Sequence, residues 1–398
     1  MARFSPFEQR SAKVFSLSIA LALGCMMTTT TGASQAAVVV RGAVTILTTP
    51  NTGAPVDIVN AQPLPVPSTT SSATAAQAQS DLIQLLTKGQ SGGGSPSGIH
   101  PGNIGTGGGD SPVDLGTRAA SNGGVSSQDW GTSNYPFTTS QADLNGVATD
   151  KDYPYRAAGN LSFLINGSGF LCSASLIGPG IVVTAAHCVN NWGKQTFYSD
   201  WKFTPGYRNG KAPYGVITAV QVYVPTAYFT GTDGCAQAGV ICPDDVAIIV
   251  LKPKGTTQAP VYIGSKTGWF GYWYGGGFTN GITEITQLGY PCDLDNCQLM
   301  ERTDSQGFQS SSLSNNTIIG SLMTGGSSGG PWVVNLGTPP TLSGGDAFGA
   351  FSGYDLVVGV TSWGYTDLTI KQQGAAPFTS GDIQTLHTTA CGAFPKAC

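Results

Sequence analysis

Gly325-Gly326-Ser327-Ser328-Gly329-Gly330-Pro331-Trp332-Val333-Val334 sets a serine among glycines and then runs, through a proline, straight into a β-type apolar stretch. The glycines let the backbone turn tightly and approach a ligand without Cβ clashes. Such a turn can aim the amide hydrogens of Gly326 and Ser328 at one point, where they would stabilise the oxyanion of an acyl-transfer intermediate. Pro331 and the strand after it mark a rigid turn between strands rather than a flexible Gly/Ser loop, and this directs the reading toward an all-β chain.

A serine hydroxyl needs a neighbouring imidazole to take its proton and a buried carboxylate to orient that imidazole. Of three histidines, His100 falls in a Gly-rich linker and His387 in a C-terminal helical stretch. That leaves His187, in Thr184-Ala185-Ala186-His187-Cys188, as the candidate base at the end of a β-type run. Asp245 heads the apolar run Val246-Ala247-Ile248-Ile249-Val250-Leu251 and is the chosen acid, with Asp200, Asp233 and Asp244 as alternatives. Gly326 to Gly330 also fits the G-x-S-x-G elbow of α/β-hydrolases, with Asp367 or Asp382 and His387 completing the order serine, acid, histidine. That elbow should lead into a helix, whereas Pro331 leads to another strand.

Fifty-six glycines and 10% charged residues, with a net charge of −4, leave no basic run, and this argues against nucleic acid or an anionic membrane as partner. Residues 1–36 carry Arg3, Arg10 and Lys13, an apolar run from Val14 to Met27 and small residues ending Ser34-Gln35-Ala36. This is the pattern of a secretory signal peptide, too short to span a bilayer comfortably, so a secreted protein without a membrane anchor is expected. Apart from Cys25, eight cysteines remain, and an even number in an exported chain argues for disulfides. Spacing favours Cys172 with Cys188, Cys235 with Cys242, Cys292 with Cys297, and Cys391 with Cys398, out of about 105 connectivities. A zinc site competes for these cysteines, but the few histidines form no ligand cluster with them, so neither metal nor cofactor is expected.

From 37 to 135 the chain reads as a pro-segment or low-complexity linker. Val38 to Leu47 can form a strand, Ala73 to Lys88 has helical character, and Gly89 to Gly109 is Gly/Ser/Pro spacer. From 136 to 398 the texture changes. Leu161–Ile165, Ser173–Ile177, Ile181–Thr184, Val216–Val224, Val246–Leu251, Ile282–Leu288, Trp332–Asn335 and Leu356–Trp363 read as strands between turn residues, with one helix at Thr379–Thr388. Many strands and one short helix predict a sandwich or barrel.

In residue order and local sequence the chain resembles the chymotrypsin-like, or trypsin-fold, serine proteases. The pattern T-A-A-H-C, then D-[IV]-A-[LI], then G-x-S-G-G-P is met by Thr184 to Cys188, Asp245 to Ile248 and Gly326 to Pro331. Tyr153-Pro154-Tyr155-Arg156, Thr204-Pro205-Gly206, Arg208-Asn209-Gly210, Pro213-Tyr214-Gly215 and Leu288-Gly289-Tyr290-Pro291 are similar to landmarks of the secreted bacterial glutamyl-endopeptidase branch. The resemblance implies two six-stranded antiparallel β-barrels, a monomer, and a His187, Asp245, Ser328 triad that cuts protein or peptide substrates. It also implies an oxyanion hole at Gly326 and Ser328, and substrate backbone pairing with Ser362, Trp363 and Gly364.

Two departures limit what is carried over. Ser327 stands where digestive members have an aspartate that pairs with a new N-terminus, and Thr361 where glutamate-specific members have a histidine. The pocket-floor position falls near Leu322, so an apolar or small substrate side chain is expected. A non-catalytic binding module on the same fold is the rival of a different class.

Overall fold

The computed structural model describes residues 37–48, 50–69, 76–78, 80–81, 98–99, 105–106, 113–115, 137–143, 146–275, 282–339, 353–367 and 369–398. The signal-peptide pattern, most of the Gly/Ser/Pro spacer and the C-terminal half of the Ala73–Lys88 stretch lie outside them.

Twelve strands carry the architecture. The first six are β1 (Ala158–Ile165), β2 (Ser168–Leu176), β3 (Ile181–Thr184), β4 (Ser199–Pro205), β5 (Ile217–Pro225) and β6 (Ala247–Leu251). They pair antiparallel in the ring β1-β2-β3-β6-β5-β4, which closes through β4 onto β1. The next six are β7 (Ile282–Gly289), β8 (Glu301–Ser310), β9 (Asn316–Gly320), β10 (Pro331–Val334), β11 (Leu356–Tyr365) and β12 (Gln372–Pro377). Their ring, β7-β8-β9-β12-β11-β10, closes through β10 onto β7 and repeats the connection order of the first. These are the two closed six-stranded barrels expected of a chymotrypsin-like chain.

Local chemistry explains many of the strands. Asn166 and Gly167, both at positive φ (51° and 81°), form the two-residue turn between β1 and β2, the pairing of residues that such a hairpin requires. In β6 all five residues, Ala-Ile-Ile-Val-Leu, are buried, as in a strand covered on both faces. Phe163, Trp201, Phe203, Val222 and Ile249 fill the first barrel, while Ile285, Ile319, Trp332, Val334 and Val358 pack together in the second. Each such side chain contributes about 1.5–3 kcal/mol on full burial.

Of these twelve strands, four were not anticipated: β4, β8, β9 and β12. β8 reads Glu-Arg-Thr-Asp-Ser-Gln-Gly-Phe-Gln-Ser, yet its burial alternates over most of its length because polar residues such as Thr303 and Ser305 face the interior. The C-terminal helix begins as a wide π turn at Ser380–Gln384 and continues as α1 (Thr385–Ala393), beyond the expected Thr388. Thr379 caps it, and Asp382 completes the capping box. Ile383, Leu386 and Ala390 belong to the cluster that fills the first barrel. Among the described residues no helix is long and apolar enough to cross a membrane.

The segment before the barrels is more embedded than its composition suggests. Val44–Thr48 pairs antiparallel with β5, and Val44, Ile46 and Leu47 are buried. A stretch too short to build its own core thus shares that of the first barrel.

Candidate active site

β3 ends at Thr184, and the next turn, Ala186–Cys188, carries His187. Cys188 is bonded to Cys172 of β2, so the turn is cross-linked to the strand beside it. The other three pairs, Cys235–Cys242, Cys292–Cys297 and Cys391–Cys398, are those that spacing favoured.

Asp245, just before β6, is 1% exposed, and several donors converge on its carboxylate. Its Oδ1 accepts the His187 backbone amide at 2.8 Å, and its Oδ2 lies 2.8 Å from His187 Nδ1. Oδ2 also accepts the Ser362 hydroxyl at 2.6 Å. A carboxylate can only accept, so Nδ1 carries the hydrogen, and in the neutral imidazole Nε2 is left as the acceptor. Tyr228 and Tyr198 flank the group. Burial first, and then the Asp245 charge, raise both phenols, Tyr198 to about 12, so both stay protonated around the carboxylate.

Ser328 is fully buried between β9 and β10. Its carbonyl accepts the Ser173 amide at 2.7 Å, and Gly329 N donates to Thr361 O at 2.8 Å. The Ser173 hydroxyl donates to Gly326 O at 2.8 Å and accepts from Tyr290 N at 2.9 Å, while the Ser173 carbonyl accepts from Thr184 Oγ1 at 2.9 Å. This one residue of β2 therefore ties the serine loop of the second barrel to the strand that delivers His187. Nothing in the sequence singles out Ser173, because its role depends on two barrels meeting. Gly329 sits where they meet, and a side chain there would run into Thr184 Oγ1 and the Ser173 carbonyl. His187 Nε2 and Ser328 Oγ are both buried and both without a hydrogen-bond partner.

The alternative acids are occupied elsewhere. Asp200 accepts from Thr52 and Gly53 of the leading segment. Asp233 accepts the Asp244 amide at 3.0 Å and so props the turn before Asp245. In the rival elbow reading, Asp382 caps its helix, and the ring of His387 lies against Cys391 Sγ at 3.4 Å. Ser328 leads into β10 and not into a helix.

Burial first, and then the Asp244 charge, push Asp233 up to about 7. A carboxyl raised on folding contributes its full stability below its unfolded pKa, near 4, and loses it as pH climbs through about 7. Asp233→Asn keeps an acceptor for the Asp244 amide without the charge. The variant should lose less melting temperature than the parent between about pH 4 and pH 8. An unchanged pH dependence in thermal melts would refute this account.

Beside the serine loop lies a cavity of about 240 Å³ lined by Ser321, Leu322, Met323, Thr324, Gly325 and Gly364, among others. Gln287 Nε2 donates to Thr361 Oγ1 at 2.8 Å, and Ser321 Oγ donates to Gln287 Oε1 at 2.8 Å. Gln373 Nε2 donates to Ser327 Oγ at 3.3 Å, and Ser327 Oγ donates to Thr324 O at 2.7 Å. Thr361 and Ser327, the two departures noted above, are thus members of one uncharged hydrogen-bonded network behind the cavity, which reaches its lining at Ser321, Thr324 and Gln373. Lys371 and Asp293 add one charge of each sign to the lining. The indole of Trp363 is fully buried and donates to Asn316 Oδ1 at 2.8 Å.

Two closed barrels, with an imidazole–carboxylate pair on one and a glycine-bounded serine on the other, define a chymotrypsin-like serine protease fold. The chain belongs to the trypsin family of serine endopeptidases: residues 147–380 match the family described as Trypsin. It is 29% identical over 151 residues to a glutamyl endopeptidase of Bacillus licheniformis, which is 38% of this chain and 41% of that protein. It is 26% identical over 223 residues to an extracellular metalloprotease of Bacillus subtilis, covering 49% of this chain and 63% of that protein. The chain thus spans less than two thirds of either relative. The crystal structure of AL20, a thermostable serine protease from an extremophilic microorganism, aligns with TM-score 0.47 and 25% identity over 59% of this chain and 97% of that one. The groups of His, Cys and Asp that converge among the described residues all include disulfide sulfurs, which lack the thiolate that a metal takes.

Proposed function

We propose that this protein is a secreted serine endopeptidase made as a precursor, with residues 1–36 as signal peptide, 37–135 as pro-segment and 136–398 as the protease domain. One observation carries the reading. His187 Nδ1 is committed to Asp245, while His187 Nε2 and Ser328 Oγ are the complementary acceptor and donor left unpartnered. Ser328 Oγ attacks the substrate carbonyl as its proton passes to Nε2. The carbonyl oxygen, now an anion, is held by the Gly326 and Ser328 amides. Nε2 then protonates the departing amine, leaving an acyl-enzyme that water hydrolyses by the same steps in reverse roles. Asp245 stabilises the imidazolium, and Ser362 to Gly364 align the substrate backbone as an added strand. No cofactor enters the scheme.

Ser321 and Gln373 in the pocket lining, bonded to the uncharged Gln287 and Thr361 behind them, support a neutral side chain in that pocket. Processed protein should be labelled at Ser328 by a serine-directed phosphonate, and in a peptide library it should cut after neutral residues in preference to Lys, Arg or Glu. Absence of labelling would sink the enzyme reading. Labelling together with cleavage after charged residues would sink only the specificity.

A further inference from the structure

We infer that residues 62–69 are a tethered inhibitor of this chain's own active site, threaded through the substrate groove in the direction opposite to a substrate. This rests on the endopeptidase reading and names what holds the precursor silent.

The segment crosses from one barrel to the other over the serine loop. Gln62 and Pro63 pair parallel with Phe170 and Leu171 of β2, and Leu64 N donates to Leu171 O at 2.9 Å. The Leu64 carbonyl then accepts the Gly326 amide at 3.3 Å, the donor assigned to the oxyanion. Beyond it, Gly364 N donates to Pro67 O at 3.0 Å, and Ser68 and Thr69 pair parallel with Gly364 and Tyr365 of β11. The backbone donors at Gly326 and Gly364 that a substrate would use are therefore both occupied.

The direction follows from which residues enter the pocket. In this chemistry the specificity pocket takes the side chain on the acyl side, that is, the residue whose own carbonyl is attacked. Here the carbonyl at Gly326 belongs to Leu64, yet the segment's pocket-lining residues are Pro65, Val66 and Ser68, all on the leaving-group side of that carbonyl. The acyl side instead runs along β2. Attack on Leu64 would have to expel the Pro65 nitrogen toward a pocket lined by the second barrel and this segment. The proton donor, His187, belongs to the first barrel. The segment thus presents a carbonyl without a productive leaving group.

Sequence and anchoring favour such a blocker. Pro63, Pro65 and Pro67 fix φ near −65° at alternate positions, so the segment is extended before it docks and loses little entropy on docking. Anchors outside the groove raise its local concentration. Val44–Thr48 is held on β5, and Thr52 and Gly53 on Asp200. Asp81 accepts from the hydroxyls of Ser310 and Ser312.

Two readouts on the full, unprocessed chain test the inference. In Leu64→Asp/Val66→Asp, hydrogen exchange in peptides spanning Gly326 and Gly364, and phosphonate labelling of Ser328, should both rise at least about tenfold, as expected when an occupancy of about nine-tenths is released. Asp81→Asn, outside the groove, should raise both by less. No acceleration of exchange in either variant overturns the inference. If exchange accelerates while Ser328 stays unreactive in both, the threading stands and the endopeptidase reading fails. For direction, Pro65→Ala offers an ordinary peptide bond at the same place. It should stay uncut while the double variant hydrolyses added peptide. A cut between residues 64 and 65 that Ser328→Ala abolishes would show substrate-like threading and overturn the reversal.

Discussion

Ser328→Ala is expected to lower kcat of the processed protein by about 10⁵–10⁶-fold with little change in KM. The loss is confined to chemistry because the fold does not use the hydroxyl. Ser328 is held by its carbonyl on Ser173 N, and its neighbour by Gly329 N on Thr361 O, while Oγ has no partner. Melting temperature should therefore be almost unchanged. The amides proposed for the oxyanion and the proposed aligning strand survive the substitution, so a residual rate of about 10³–10⁴ over the uncatalysed reaction should persist. Retention of more than about one part in a hundred of kcat would remove Ser328 from the nucleophile's role.

Asp245→Asn should lower kcat by about 10⁴-fold, a loss of the kind known for an amide in this position of a related triad. The two carboxylate oxygens at Asp245 receive the His187 amide, His187 Nδ1–H and the Ser362 hydroxyl, with the Tyr228 phenol also bonded to the group. A carboxamide has one oxygen and one NH₂, so one face must present hydrogens to a donor. If the oxygen keeps the His187 backbone amide, the NH₂ faces Nδ1 and selects the tautomer with its hydrogen on Nε2. That imidazole cannot accept the Ser328 proton. Substrate affinity should be nearly unaffected, and a large rise in KM at constant kcat would contradict the orienting role. Nitrogen NMR of the His187 ring should show the hydrogen moved from Nδ1 to Nε2.

What could be read from the chain itself was whatever depends on near neighbours. Glycines around Ser328, a cysteine beside His187, an aspartate before an unbroken apolar run, and alternating or β-branched strands all announce themselves within a few residues. The four cystine pairs follow from spacing because each closes a short loop. β8 and β12 did not announce themselves. Glu301–Ser310 and Gln-Gln-Gly-Ala-Ala-Pro carry little strand character, and they are strands because the barrel offers partners on both sides. The second barrel's interior is partly polar, with Gln287, Thr303, Ser305 and Gln373 buried, so alternation of apolar residues fails as a guide there.

By itself the sequence determined the family and the class of fold, through a histidine, an aspartate and a serine in that order on a strand-rich and cystine-linked chain. Only the tertiary structure decided what surrounds them. Ser173 as the tie between barrels, Ser362 as a donor to Asp245, and Pro63-Leu64-Pro65-Val66-Pro67 as the proposed occupant of the groove are contacts between residues more than a hundred positions apart. Composition reads that proline run as spacer, since alternate residues lack an N–H and cannot build a ladder alone. Its direction across the groove is a property of two barrel edges, and no local preference of the segment encodes it.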